Sequence, residues 1–292
     1  MYASETYPID LTNFGGASST NTVTIKPAVG VNTTIPGVTG QTTATFWLQS
    51  GSNYVIDGSN TVGGTTKNLT IQSFGIAIPA VHFYSSGNNN LVKNCIIESE
   101  NTSTGSGSLI LAAGTGSSNN LITNCLFRQK AGGSRFGIGV YMFSSFVGTN
   151  NVISNCEFRD FNDRAITIQG ALGADNNDAI GNVIYQINPS SATTVYGFYL
   201  GRALNTDIVG NQVFNLSSVS ASPTIYGLYA ILTSVDMTVK LINNTFSLGG
   251  LNAAGTIRGI DYFGYSVNNF EMYYNTVYIA GSGVTGGTHR CG

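Results

Sequence analysis

The chain has 292 residues, of which 9% are Asp, Glu, Lys or Arg, 42% are hydrophobic and 37 are glycines. An average globular domain is about a quarter charged, so an ordinary charged helical surface is excluded, while 15 Tyr and 15 Phe supply enough core material to exclude disorder. A formal net charge of −2 without any Lys/Arg run argues against nucleic acid as a partner, and no stretch approaches the ~18 apolar residues that membrane insertion requires.

The opening MYASETYPIDL lacks the basic and apolar regions of a secretory signal, so any such signal is expected outside this sequence. TVTIKPAVGV, TATFWLQSGSNYVIDGSN and KNLTIQSFG follow as strand-like runs at uneven spacing. Residues 1–55 are therefore expected to form an N-terminal cap or first irregular coils, and 56–292 one continuous domain.

From Asn89 onward the chain repeats itself. NNLVKNCII returns as NNLITNCLF and NNVISNCEF, then more loosely as AIGNVIY, IVGNQVF, LINNTFS and MYYNTVY. The anchors are Asn94, Asn124, Asn155, Asn182, Asn211, Asn244 and Asn275, separated by 30, 31, 27, 29, 33 and 31 residues. A second column has the same period: a small residue precedes an apolar, variable, apolar triplet at Ala80, Ser108, Gly137, Ala165, Gly197, Gly227 and Gly259.

Each repeat thus carries two predicted strands. Alternation in a strand points Val81, Leu109, Ile138, Ile166, Phe198, Leu228 and Ile260 inward, and likewise Phe83, Leu111, Val140, Ile168, Leu200, Ala230 and Tyr262. Repeats this short bury an apolar face only when stacked at about 4.8 Å around a shared core. The predicted fold is all-β, a single-stranded right-handed parallel β-helix with coils of about 30 residues. Asn tolerates a left-handed bend and its amide bonds to the next rung, so the anchors are expected to form a structural ladder. On this reading Asn155→Leu costs roughly 1–3 kcal/mol.

At VIDGSNTVGGTTKNLTI, followed by the NNxIxNC coils, the chain resembles right-handed parallel β-helix repeat proteins of the pectate-lyase-like superfamily. It is most similar to the solenoid regions of large secreted bacterial surface proteins that carry IKPAxGV, YVIDGSN and NLTI in this order. The resemblance covers nearly the whole chain and implies an extracellular or cell-surface location. It leaves function open, because that superfamily includes lyases, hydrolases, esterases, adhesins and solenoids without known activity.

Superfamily enzymes acting on acidic polysaccharides generally use Arg or Lys as a base, often with Asp-bound calcium, so the charge-dense FRQKAGGSR and FRDFNDR segments are the candidate catalytic region. Glu98, Arg128 and Arg159 each lie four residues past an anchor and should stack. With Asp160, Asp163 and Arg164 they form either a lyase-like groove or a solvated ladder of alternating charges. Asn205, Thr206 and Asp207 match the NTD triplet of polygalacturonase-like hydrolases, but no companion Asp pair accompanies them. Neither His82 nor His289 has catalytic or metal-ligand spacing.

Aligned on the small-residue column, Phe136, Arg164, Tyr196, Tyr226 and Arg258 form one outward column, and Gly139, Thr167, Tyr199, Tyr229 and Asp261 another. Tyr196, Tyr199, Tyr226 and Tyr229, flanked by Arg258 and Asp261, suit a glycan, since tyrosine offers a flat apolar face and a hydroxyl. The plainer alternative is mutual stabilisation on a sheet surface. Cys95, Cys125 and Cys156 stack one coil apart, within disulfide reach yet oriented alike, so strained bridging and free thiols both remain open. No cofactor is expected; the acidic loop from Asp175 to Asp178 is the one calcium candidate.

Two function classes follow: an extracellular scaffold or carbohydrate-binding module without a complete catalytic motif, or a polysaccharide lyase or glycoside hydrolase acting on an acidic polysaccharide. A third is an adhesin-type solenoid that assembles end to end or through flanking domains.

Overall fold

The computed structural model describes residues 7–113, 116–143, 148–169, 176–232, 237–249, 255–264, 268–280 and 289–291. Among them the chain is a right-handed parallel β-helix without helices, built from three parallel sheets. Sheet 1 has ten strands, from Ile9–Asp10 to His289–Arg290; sheet 2 has nine, from Val23–Ile25 to Asn269–Tyr273; sheet 3 has nine, from Thr33–Ile35 to Thr276–Ile279. Residues 9–35 already complete one coil through all three sheets.

Each coil therefore holds three strands, not two. In the coil Val81–Tyr84, Leu91–Lys93, Cys95–Ser99, one residue, Asn94, separates the second strand from the third. That residue has positive φ in seven successive coils: Asn94, Asn124, Asn155, Gly181, Gly210, Asn243 and Tyr274. A single left-handed residue turns the chain sharply enough for both flanking strands to pair with the coils above and below, and Asn and Gly adopt that conformation at least cost.

The bend column corrects the register of the predicted asparagine ladder. Glu157 pairs with Val183, so Asn155 lies level with Gly181, and Asn182 lies level with Cys156. The seven anchors divide between two adjacent columns. Asn94, Asn124 and Asn155 occupy the bend; Asn182, Asn211, Asn244 and Asn275 occupy the next position, which the earlier coils fill with Cys95, Cys125 and Cys156.

A second correction concerns sheet 1. Leu109 pairs with Val140, and Val140 with Ile166, so Gly139 rather than Gly137 belongs to the small-residue column. Both glycines precede an apolar, variable, apolar triplet, and only strand pairing distinguishes them. Phe136 is consequently not outward: it is fully buried and packs near Phe161, at 6.4 Å between ring centroids. Ile138 and Tyr141 stand level with Arg164 and Thr167 of the outward columns, although both are buried, Ile138 completely, and Val140 and Met142 take the inward places. The small column faces the interior closely. A Cβ on Gly227 would lie 2.5 Å from Gly259 O and 2.6 Å from the Phe246 ring.

The other predicted inward residues are buried, Val81, Phe83, Leu109, Leu111, Ile166, Phe198, Leu200, Leu228 and Ala230 among them. Tyr262 is the exception at 37% exposed, its ring stacked on Phe270. The next strand, His289–Arg290, pairs only with Ile257 and Arg258, so among the described residues no strand pairs with Tyr262 from the next coil.

Candidate functional site

Strand pairing sets the outer face of sheet 1. One outward column runs Ile138, Arg164, Tyr196, Tyr226, Arg258, and its neighbour runs Trp47, His82, Ile110, Tyr141, Thr167, Tyr199, Tyr229, Asp261. All six predicted ligand-binding residues are brought together here. Tyr196 and Tyr226 stack at 4.9 Å with planes 6° apart, Tyr199 meets Tyr196 edge-on at 5.5 Å, and Tyr229 contacts Tyr226 at 4.9 Å and Tyr199 at 5.7 Å. Parallel pairing at about 4.8 Å places like side chains one van der Waals thickness apart, so rings in one column stack without rearrangement.

An Arg–Asp pair brackets the four rings on each side. The Arg164 guanidinium lies 4.1 Å from the Tyr199 centroid and 5.3 Å from that of Tyr196, with its Nε 3.3 Å from Asp163 Oδ2. Arg258 lies 5.6 Å from the Tyr226 centroid and donates through Nη1 to Asp261 Oδ2. Burial pushes the Tyr196 phenol up to about 12, with Arg164 pulling the other way. It also raises Tyr226 and Tyr229, so these rings are neutral hydrogen-bonding phenols. Burial drives the Asp163 carboxyl up to about 6, Arg164 offsetting part of the shift.

Several polar atoms of this face are buried without a hydrogen-bond partner: Asp163 Oδ2, Arg164 Nε, Thr167 Oγ1, Arg258 Nε, Trp47 Nε1 and His82 Nε2. The Asp163–Arg164 pair is an ion pair whose geometry fails as a hydrogen bond. Such groups are rare in folded proteins and collect where a ligand or ordered water completes them. The Trp47, His82 and Tyr84 cluster was missed in the sequence because its single His matched no motif, yet Trp47 and His82 are stacked and Tyr84 meets both edge-on.

The predicted catalytic residues do not form one groove. Arg128, Arg159 and Asp160 line a notch of about 280 Å³ with Lys130 and Ile187, whereas Arg164 opens the next strand of sheet 1 and Asp163 immediately precedes it. Within the notch Arg128 Nη2 and Nε lie 2.7 and 2.8 Å from Glu98 Oε1, Lys130 lies 3.6 Å from Glu100, and Arg159 lies 4.0 Å from Glu157. Asp160 Oδ1 accepts from the Ile187 and Asn188 amides. These cations are matched by carboxylates one at a time, as in the ladder of alternating charges.

Asp175 lies outside the described residues, and Asp178 Oδ1 accepts from the Asp207 amide at 2.9 Å. Among the described residues no group of three His, Cys, Asp or Glu could hold a metal ion. Thr206 is buried between exposed Asn205 and half-buried Asp207, so that triplet does not converge.

One interior column lies a single position past the bend. The Nδ2 groups of Asn182, Asn211 and Asn244 donate to the Oδ1 of the next coil's Asn at 2.9–3.0 Å and also to Ile153 O, Ala179 O and Ile208 O. The thiols of Cys95, Cys125 and Cys156 occupy the same position and point at Ile56 O, Val92 O and Ile122 O at 3.7–3.8 Å. All three are free and buried, and burial pushes the Cys95 and Cys156 thiols well up. A further amide column, Asn90, Asn120, Asn151 and Asn177, runs before sheet 2; its signal was the paired NN opening three of the repeats.

No protein-family model matches the chain, and no curated protein is similar to it. Among solved structures, it is similar to the Streptococcus pneumoniae surface protein and adhesin PfbA at 12% identity and a TM-score of 0.33, covering 92% of this chain and 85% of that one. A second structure of that surface adhesin gives 13% identity and a TM-score of 0.35, covering 89% and 80%. The A-module of the mannuronan C-5 epimerase AlgE4 from Azotobacter vinelandii gives 12% identity and a TM-score of 0.26, covering 97% and 88%. These likenesses carry no residue correspondence, and the functional reading rests on the chain's own surface.

Proposed function

We propose that the chain is a β-helix scaffold and carbohydrate-binding module of a larger secreted or surface protein, with a glycan held on the outer face of sheet 1. The observation that carries this reading is the contiguous Tyr196, Tyr199, Tyr226, Tyr229 surface, its rings half-buried and bracketed by Arg164 and Arg258. Ring faces suit sugar C–H groups, and phenols and guanidinium N–H groups suit hydroxyls. The stacked amide and thiol columns at the corner between sheets 2 and 3 tie successive coils together. Binding is favoured over cleavage because the cations of the notch each face a carboxylate.

The test is titration against a glycan panel with the wild type and the Tyr199→Ala plus Tyr229→Ala variant. Loss of binding by about tenfold or more supports the site, since aromatic contacts contribute roughly 0.5–1.5 kcal/mol each. Binding that survives the double substitution removes it. A lyase would instead release unsaturated product from uronate polymers, and Arg159→Ala would abolish that signal.

A further inference from the structure

We propose that Asp163 is a proton switch that sets the charge of the tyrosine surface, so that it takes neutral glycans at neutral pH and gains affinity for carboxylate-bearing glycans in mild acid. The inference rests on the glycan reading above and adds to it a ligand class and its control.

The geometry isolates one carboxylate behind one cation. Backbone hydrogen bonds hold Asp163 in place on both sides: its N–H donates to Gly137 O at 3.0 Å, and its carbonyl accepts from Tyr196 N–H at 2.8 Å. Its side chain is 10% exposed and Oδ2 has no hydrogen-bond donor; the guanidinium of Arg164, 3.3 Å away, is its sole close counter-charge among the described residues. That guanidinium belongs to the binding surface, stacked over Tyr199 and beside Tyr196.

The groups facing this pair are few. Strand Ile138–Phe143 contributes Tyr141, strand Thr194–Gly201 contributes Tyr196 and Tyr199, and strand Arg164–Gln169 adds no further charge. Burial raises Tyr141 and Tyr196, keeping both neutral across the range that matters. Asp160 and Arg159, nearby in sequence, turn to the notch, where Asp160 caps the Ile187 and Asn188 amides and Arg159 faces Glu157. At the far side Arg258 keeps its own partner, Asp261.

With Asp163 ionised, the surface carries two Arg–Asp pairs and no net charge. With Asp163 protonated, Arg164 stays charged and loses its counter-ion, so the surface carries one positive charge beside the rings. Burial against a single partly exposed cation places that proton uptake at about pH 6. An incoming carboxylate then pairs with Arg164 without competing against a resident one.

The experiment compares a β-1,4-linked glucose tetrasaccharide with its glucuronate counterpart by calorimetry at neutral and mildly acidic pH. Wild type should shift its preference toward the glucuronate probe by about fivefold on acidification, the worth of one partly exposed ion pair. Asp163→Asn should show the shifted preference at both pH values, and Arg164→Gln at neither. The Asp163 carboxyl ¹³C resonance, assigned by its absence in Asp163→Asn, should titrate near pH 6 without ligand. A preference unaffected by pH, or equally pH-dependent in Asp163→Asn, overturns the switch and leaves the glycan site standing. A carboxyl that titrates in the usual range overturns it without reference to any ligand. Failure of both probes to bind at either pH removes the glycan reading and the switch with it.

Discussion

The interior column one position past the bend makes a sharp prediction at Asn211. This side chain is fully buried; its Nδ2 donates to Ala179 O and Asn244 Oδ1, both at 2.9 Å, and its Oδ1 accepts from Asn182 N at 2.8 Å and Asn182 Nδ2 at 3.0 Å. Asn211→Leu keeps the number and branching of heavy atoms and deletes these bonds. Asn182 Nδ2 retains Ile153 O, and Asn244 Oδ1 retains the Asn211 backbone N–H. The Asn182 backbone N–H and one Asn182 amide hydrogen are left unmatched in the interior. Two such donors cost about 2–6 kcal/mol, and leucine burial offsets roughly 2 kcal/mol of that, leaving a net loss of about 2 kcal/mol. Asn155, by contrast, is exposed at φ 51°, so Asn155→Gly should stay within about 0.5 kcal/mol of wild type. Urea unfolding followed by the fluorescence of Trp47, the only tryptophan, measures both, with slopes compared because stacked repeats can lose cooperativity. An Asn211→Leu midpoint equal to wild type, or an Asn155→Gly loss as large, would refute the assignment of the two columns.

Asp163→Asn should stabilise the protein at pH 7 by on the order of 1–3 kcal/mol. The Asp163 carboxyl is raised to about 6 in the fold, so its contribution to stability is fully present below its ordinary value and is lost as pH rises through about 6. Between pH 4 and 7, wild type should therefore lose stability relative to the variant, and parallel pH profiles would contradict this. A thiol reagent should label the exposed Cys291 alone in the native protein and all four cysteines in denaturant; native labelling of Cys125 would show that the stack is open. Gly227→Ala should cost about 1–3 kcal/mol through overlap with Gly259 O and the Phe246 ring, read as a drop in thermal midpoint, whereas an unchanged midpoint would mean that the sheets can separate there.

Much of the architecture was legible in the sequence because a solenoid repeats its physics in every coil. The 30-residue period, the inward Val81/Phe83 type of position and the gathering of Tyr196, Tyr199, Tyr226 and Tyr229 all follow from counting at one interval, since a residue's neighbours are its counterparts one period away. Counting fails where two adjacent residues satisfy the same pattern. Gly137 and Gly139 both precede apolar triplets, and Asn182 follows a Gly that takes over the bend, so a slip of one or two residues leaves the sequence motif intact while moving a side chain to another column. Only backbone pairing between coils resolves that choice, because it ties each residue to one partner. The same limit explains why Arg159 and Arg164, five residues apart, were read as one groove. The chain turns from sheet 3 to sheet 1 between them, and a corner sends neighbours in sequence to different faces.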